Sequence, residues 1–147
     1  MRRVQGLSFL AGITSECMSG YKFPTIDEII DVNRRVLEEI LVKKADRHQV
    51  LSRAKLKLIL GDAKKVNEDV YGPATELLFG IVRGHPSASG VRRTAVTVTS
   101  VFLKLNGAMT EVPHDPDVLR GIREGFYNKS EVKEWLKGHG IRKRTVD

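Results

Sequence analysis

Thr94-Ala95-Val96-Thr97-Val98-Thr99-Ser100-Val101 is the stretch on which the fold class turns. Six of these eight residues are β-branched, and propensity alone reads them as a strand. Their hydrophobic spacing says otherwise. Val98, Val101, Phe102 and Leu105 recur at the 3.6-residue period of one helical face. Asn106-Gly107 then supplies the punctuation expected at a helix C-terminus.

Upstream and downstream of this stretch the signals are helical. Thr25-Ile26-Asp27-Glu28 has the spacing of a capping box, and Ile26, Ile29, Ile30, Val36, Leu37, Ile40 and Leu41 follow on one face. Asn33 shares that face and reads as a satisfied packing amide, with ordering of the 85–94 loop as its competing role. The charged run from Lys43 to His48 ends this helix. Ser52 caps a second one, with Leu56, Ile59 and Leu60 inward and Gly61 near its stop. A polar linker is expected from Asp62 to Gly72. Pro73 suits the first turn of a third helix, whose buried stripe is Leu77, Leu78, Ile81 and Val82 and whose end is Gly84. After a short extended piece at 110–113, Asp115-Pro116 opens a helix with Val118, Leu119, Ile122 and Phe126 inward. Ser130 is the expected cap of the last, with Val132, Trp135 and Leu136 inward.

Between the third helix and the Thr94 stretch lies His85-Pro86-Ser87-Ala88-Ser89-Gly90-Val91-Arg92-Arg93. The first amides of a helix have no partners inside it, so its N-terminus attracts anions. Small residues allow a phosphate to approach the backbone. Arg92 and Arg93 add charge-assisted donors, and His85 has the pKa range of a base at neutral pH. These residue types in this order point to handling of a phosphate-bearing group. The competing readings are ordinary: a loop-bonding histidine, a surface salt bridge at Arg93 and a turn glycine.

The segment resembles the signature of the Fic/Doc family, roughly H-P-F-x-[DE]-[GA]-N-[GK]-R-T. His85, Pro86, Gly90, Arg93 and Thr94 match it, and Arg92 keeps the basic character of the Doc-like lysine position. The flanks add to the resemblance. Thr75 to Gly84 is similar to the family's helix leading into the histidine. Val101 to Gly107 is similar to its "FLxxNG" helix end, and Ser130 to Leu136 to its closing helix with a "WL" pair. This resemblance settles Thr94–Val101 as helix. It implies an all-α, compact bundle of about six helices with at most a minor β element. It divides the chain into an extension (1–20), a helical domain (21–138) and a basic tail (139–147) that reads as mobile.

Several roles follow from the resemblance alone. His85 would take the proton from a protein hydroxyl, and Arg93 would hold phosphates during transfer. The Gly90, Val91 and Arg92 amides would cradle the anion, and Thr94 would steady the helix start. ATP is the implied substrate. The family's acidic residue helps hold Mg²⁺; here Ser89 stands in its place, so no protein metal ligand is assigned. Val91 replaces an asparagine that contacts phosphate, and Ser87 replaces an aromatic. Arg92 leans the chain towards Doc-like phosphoryl transfer over the AMP transfer of most Fic members. The inhibitory pattern [ST]-x-x-x-E-[GN] is not met at Ser130 to Glu134, because Trp135 follows. A separate antitoxin-like protein is the implied regulator.

Composition sets the outer limits. The chain has 147 residues, 41% of them apolar, which suits one core, and no apolar run nears the ~20 residues of a membrane helix. Met1-Arg2-Arg3, Leu7, Phe9, Leu10, Ala11 and Ile13 imitate a signal peptide, but the apolar run is short and Glu16 is misplaced for cleavage. The single cysteine, Cys17, excludes an internal disulfide and suits a reducing cytoplasm. A net charge of +7 would attract nucleic acid, yet the basic residues are dispersed except for Arg142-Lys143-Arg144, with no aromatics among them. The expectation is a cytoplasmic, Doc-like transferase moving a phosphoryl or adenylyl group from ATP to a protein hydroxyl, as in a toxin–antitoxin pair. The first alternative is a degenerate member that binds nucleotide or a partner without chemistry. The second is a basic nucleic-acid-binding protein.

Overall fold

Thr25 opens the first helix with the reciprocal bonds of a capping box. Its Oγ1 accepts from the Glu28 N–H at 3.1 Å, and Glu28 Oε1 accepts from the Thr25 N–H at 2.8 Å. The computed structural model describes residues 20–41, 51–85, 90–108, 111–113 and 115–143. Six helices account for the fold: α1 Ile26–Leu41, α2 Arg53–Lys65, α3 Tyr71–Gly84, α4 Val91–Leu105, α5 Pro116–Glu124 and α6 Lys129–Leu136. Among the described residues there is no strand, and 111–113 forms no regular element. The β-branched stretch is therefore helix, as its period demanded.

The third helix is central because it is apolar on nearly every side. Leu77, Leu78, Ile81 and Val82 are fully buried, and α2, α4, α5 and α6 all pack on it. Gly80 lets α2 approach closely: a Cβ there would meet Ile59 Cγ2 at 2.8 Å. The first helix lies antiparallel along α4. Phe23 stacks on Phe102 at one end, with centroids 4.9 Å apart. Asn33 meets Thr94 further along, 3.1 Å from amide nitrogen to hydroxyl. The Schellman ends of α4 and α5 fold the chain back at Gly107 and Gly125, both at φ +84.

Several boundaries differ from the sequence reading. Helix α2 runs through Gly61 to Lys65, so the connection to α3 is only 66–70. An interior glycine costs only about 1 kcal/mol, and burial of Leu56, Leu60 and Ala63 offsets that. Helix α6 is capped by Asn128, not Ser130; Asn128 and Glu131 exchange the two capping-box bonds at 2.8 and 3.0 Å. On α4 the buried set is Val91, Thr94, Ala95, Val98, Thr99, Phe102 and Leu103. Val101 and Leu105 instead remain 41% and 51% exposed, because α4 is wedged between α3 and α1 and its outer margin is left open. Phe126 lies beyond α5, half-buried. The basic tail is tied down as far as Lys143, which bridges Asp115 at 2.8 Å, the carboxylate that also caps α5. The charged run after α1 lies outside the described residues.

Candidate functional site

The loop that resembles the Fic/Doc signature joins the central helix to α4. It leaves α3 after Gly84 and enters α4 at Val91. Its middle, residues 86–89, which includes Ser87 and Ser89, lies outside the described residues.

His85 sits at the C-terminus of α3 and is only 6% exposed. The Ser52 N–H donates to its Nε2 at 3.1 Å. That nitrogen must therefore carry a lone pair, so the proton is on Nδ1, which donates to the Ile81 carbonyl at 3.2 Å. Burial is the largest influence on the ring and lowers its pKa below 6.5; the nearby Lys55 charge lowers it further, against the raising effect of the two backbone bonds. Lys55 itself donates to the Gly84 carbonyl at 2.7 Å, closing the exposed end of α3. His85 is thus a neutral pin between the start of α2 and the end of α3. Ser52 serves both ends of that pin, since its hydroxyl also caps α2.

The other side of the loop begins with Gly90, which takes the left-handed conformation at φ 67 and caps α4 without any side chain. Among the described residues no side chain caps the first amides of α4. Val91 points into the core at 5% exposure and offers only its backbone. The position at which the resembling signature has asparagine is here a packing position. Thr94 is fully buried and holds the start of α4 against α1 by accepting from Asn33. Asn33 is only half satisfied, because its Oδ1 has no partner among the described residues.

The two arginines diverge. Arg93 reaches across to α1 and pairs with Glu39. Arg92 faces α5, where Arg120 and Arg123 add positive charge. Its guanidinium is half-buried, and burial first, then Arg123 and Arg120, work against its charge. Arg123 has the adjacent Glu124 at 3.1 Å. Among the described residues no carboxylate pairs with Arg92 or Arg120. Three arginines therefore gather beside a helix start that no described side chain caps, a concentration of positive charge that a doubly charged phosphate would relieve.

Glu39, Arg120 and Arg123 were not singled out by sequence reasoning, and Ser52 was read only as the cap of α2, a role it keeps. Only Arg120 and Arg123 left a local trace, as two arginines three apart on one helical face. Among the described residues no cluster of His, Cys, Asp or Glu could hold a metal ion. Among the described residues the donors at the loop are cationic or already engaged, and none is a free carboxylate of the kind that holds Mg²⁺. No described helix is long and apolar enough to cross a membrane. Comparison of the chain with family models, curated proteins and solved structures finds no match.

Proposed function

We propose that the chain is a Fic/Doc-like protein that binds a phosphate-bearing ligand, of the nucleotide class, at the α3–α4 junction without transferring any group from it. The observation that carries this reading is the state of His85. A base that removes a hydroxyl proton needs a free lone pair within reach of that proton. Both nitrogens of the His85 ring are spent on backbone partners, and the ring is buried. Binding needs none of this. The amides at the start of α4, which no described side chain caps, offer fixed donors, and Arg92 with Arg120 and Arg123 offers charge. Arg93 is a reserve donor, reached by a ligand that competes with Glu39.

Phosphoryl or adenylyl transfer from ATP to a protein hydroxyl, restrained by an antitoxin-like partner, is the second reading. It is favoured by the placement of His85 and Arg93 on either side of one loop, as the family resemblance implies. It would require His85 to give up Ser52. Nucleic acid binding draws support only from the net charge of +7, and it would be nonspecific and fall steeply with salt.

Incubation with ATP labelled separately at the α and γ positions tests the proposal. The expected outcome is saturable ATP binding with no label carried onto the protein or onto added protein acceptors. Label from the γ position would establish phosphoryl transfer, label from the α position would establish adenylylation, and either would overturn binding without chemistry.

A further inference from the structure

At the end of the bundle opposite the loop, α1 and α4 enclose an apolar groove of about 220 Å³. Pro24, Val32, Val101 and Leu105 line it, and Glu28 and Asp31 stand along its edge. Val101 and Leu105 are two of the three large apolar side chains left exposed among the described residues. They lie four apart, so they form a continuous strip on one face of α4. An exposed apolar strip next to a groove is a surface that some segment covers.

Three observations name the occupant. The first is where the chain enters the bundle. Both the N–H and the carbonyl of Lys22 are held by the Asn106 side chain, each at 2.8 Å. Tyr21 and Phe23 both pack on Phe102, with centroids 6.2 and 4.9 Å away. The described chain therefore begins at the C-terminal end of α4, with Lys22 on Asn106, the residue after Leu105, and Tyr21 donating to the Glu68 carbonyl at 2.9 Å. The second is reach. The six residues 14–19 span up to about 20 Å when extended, whereas Val98 to Leu105 covers only about 10 Å of helix. The third is composition. Leu7, Phe9, Leu10 and Ile13 supply apolar side chains, and Arg2 and Arg3 carry the charge opposite to Glu28 and Asp31.

We infer that residues 7–13 of the same chain dock in the α1–α4 groove and cover Val101 and Leu105. This contact lies away from the phosphate loop and stands whether or not the loop binds nucleotide.

A nitroxide at position 8 of the full chain tests it, attached through Ser8→Cys in a Cys17→Ser background. The expected result is selective loss of amide signals at Val32, Val98 and Val101, with those of α6 unaffected. Phe9→Ser with Leu10→Ser should restore the signals, as should Val101→Ser with Leu105→Ser. The groove substitutions replace half-exposed side chains, so the bundle itself stays folded. Uniform or absent broadening would overturn the inference. Loss of signal seen only when labelled chains are mixed with isotope-enriched, unlabelled ones would also overturn it, and would assign the groove to a second copy.

Discussion

Replacing His85 with alanine should lower the melting temperature by about 6–16 °C. The substitution leaves the Ser52 N–H without its acceptor, takes a donor from the Ile81 carbonyl and empties the space of a buried ring. Each unpaired buried group costs about 1–3 kcal/mol, so a total of about 3–4 kcal/mol is expected, at about 2–4 °C per kcal/mol for a chain of this size. The substitution should also remove a component of the pH dependence. His85 has a lower pKa folded than unfolded. The unfolded chain therefore takes up the proton first, and the stabilisation is fully present above 6.5, the ring's ordinary value. It is lost as pH falls from there through the folded pKa. Native protein should lose stability on this account as pH falls below 6.5, whereas the alanine variant should be flatter there. Thermal melts at stepped pH read both effects. A histidine held ready for catalysis, with one nitrogen free, would give a much smaller change in melting temperature.

Arg92→Ala should weaken ATP binding by about tenfold to a hundredfold, because charge-assisted hydrogen bonds contribute about 1.5–3 kcal/mol and every 1.4 kcal/mol is a factor of ten. Stability should move the other way. Arg92 is half-buried beside two like charges, so its removal relieves repulsion and leaves the melting temperature unchanged or raised. Arg120→Ala should show the same opposition between affinity and stability. Lys57→Ala, an exposed position on α2, should change neither. Titration calorimetry and thermal melts on the same samples separate the cases. Equal losses of affinity for all three variants would mean attraction to a basic surface in general, and no site at Arg92.

Most of the fold was legible because its signals are local. The capping box at Thr25, the proline in the first turn of α3 and Asn106-Gly107 at the end of α4 each act within a few residues. Periodicity overruled propensity at Thr94–Val101 because tertiary packing on α3 and α1 outweighs the small entropic preference of β-branched residues. The misses have physical causes too. Asn128 lies two residues before Ser130 and wins the cap because Glu131, not Lys133, can reach back to the cap N–H. Period alone could not tell that Val101 and Leu105 flank the buried face, since that depends on where α1 stops covering α4. The site was the least legible part. The motif located the loop and both of its ends, but Ser52 is 33 residues from His85 and Glu39 is 54 from Arg93. No pattern within the decapeptide reports that its histidine is pinned or that one arginine is already paired.

The tautomer and pKa of His85, read from the nitrogen resonances of its ring during a pH titration with and without ATP, test the central claim most directly. The account predicts a ring protonated at Nδ1 alone at neutral pH, titrating below 6.5, with no change when ATP is added. A ring that titrates at or above that value, or that changes tautomer when ATP binds, would identify His85 as a base and contradict binding without chemistry.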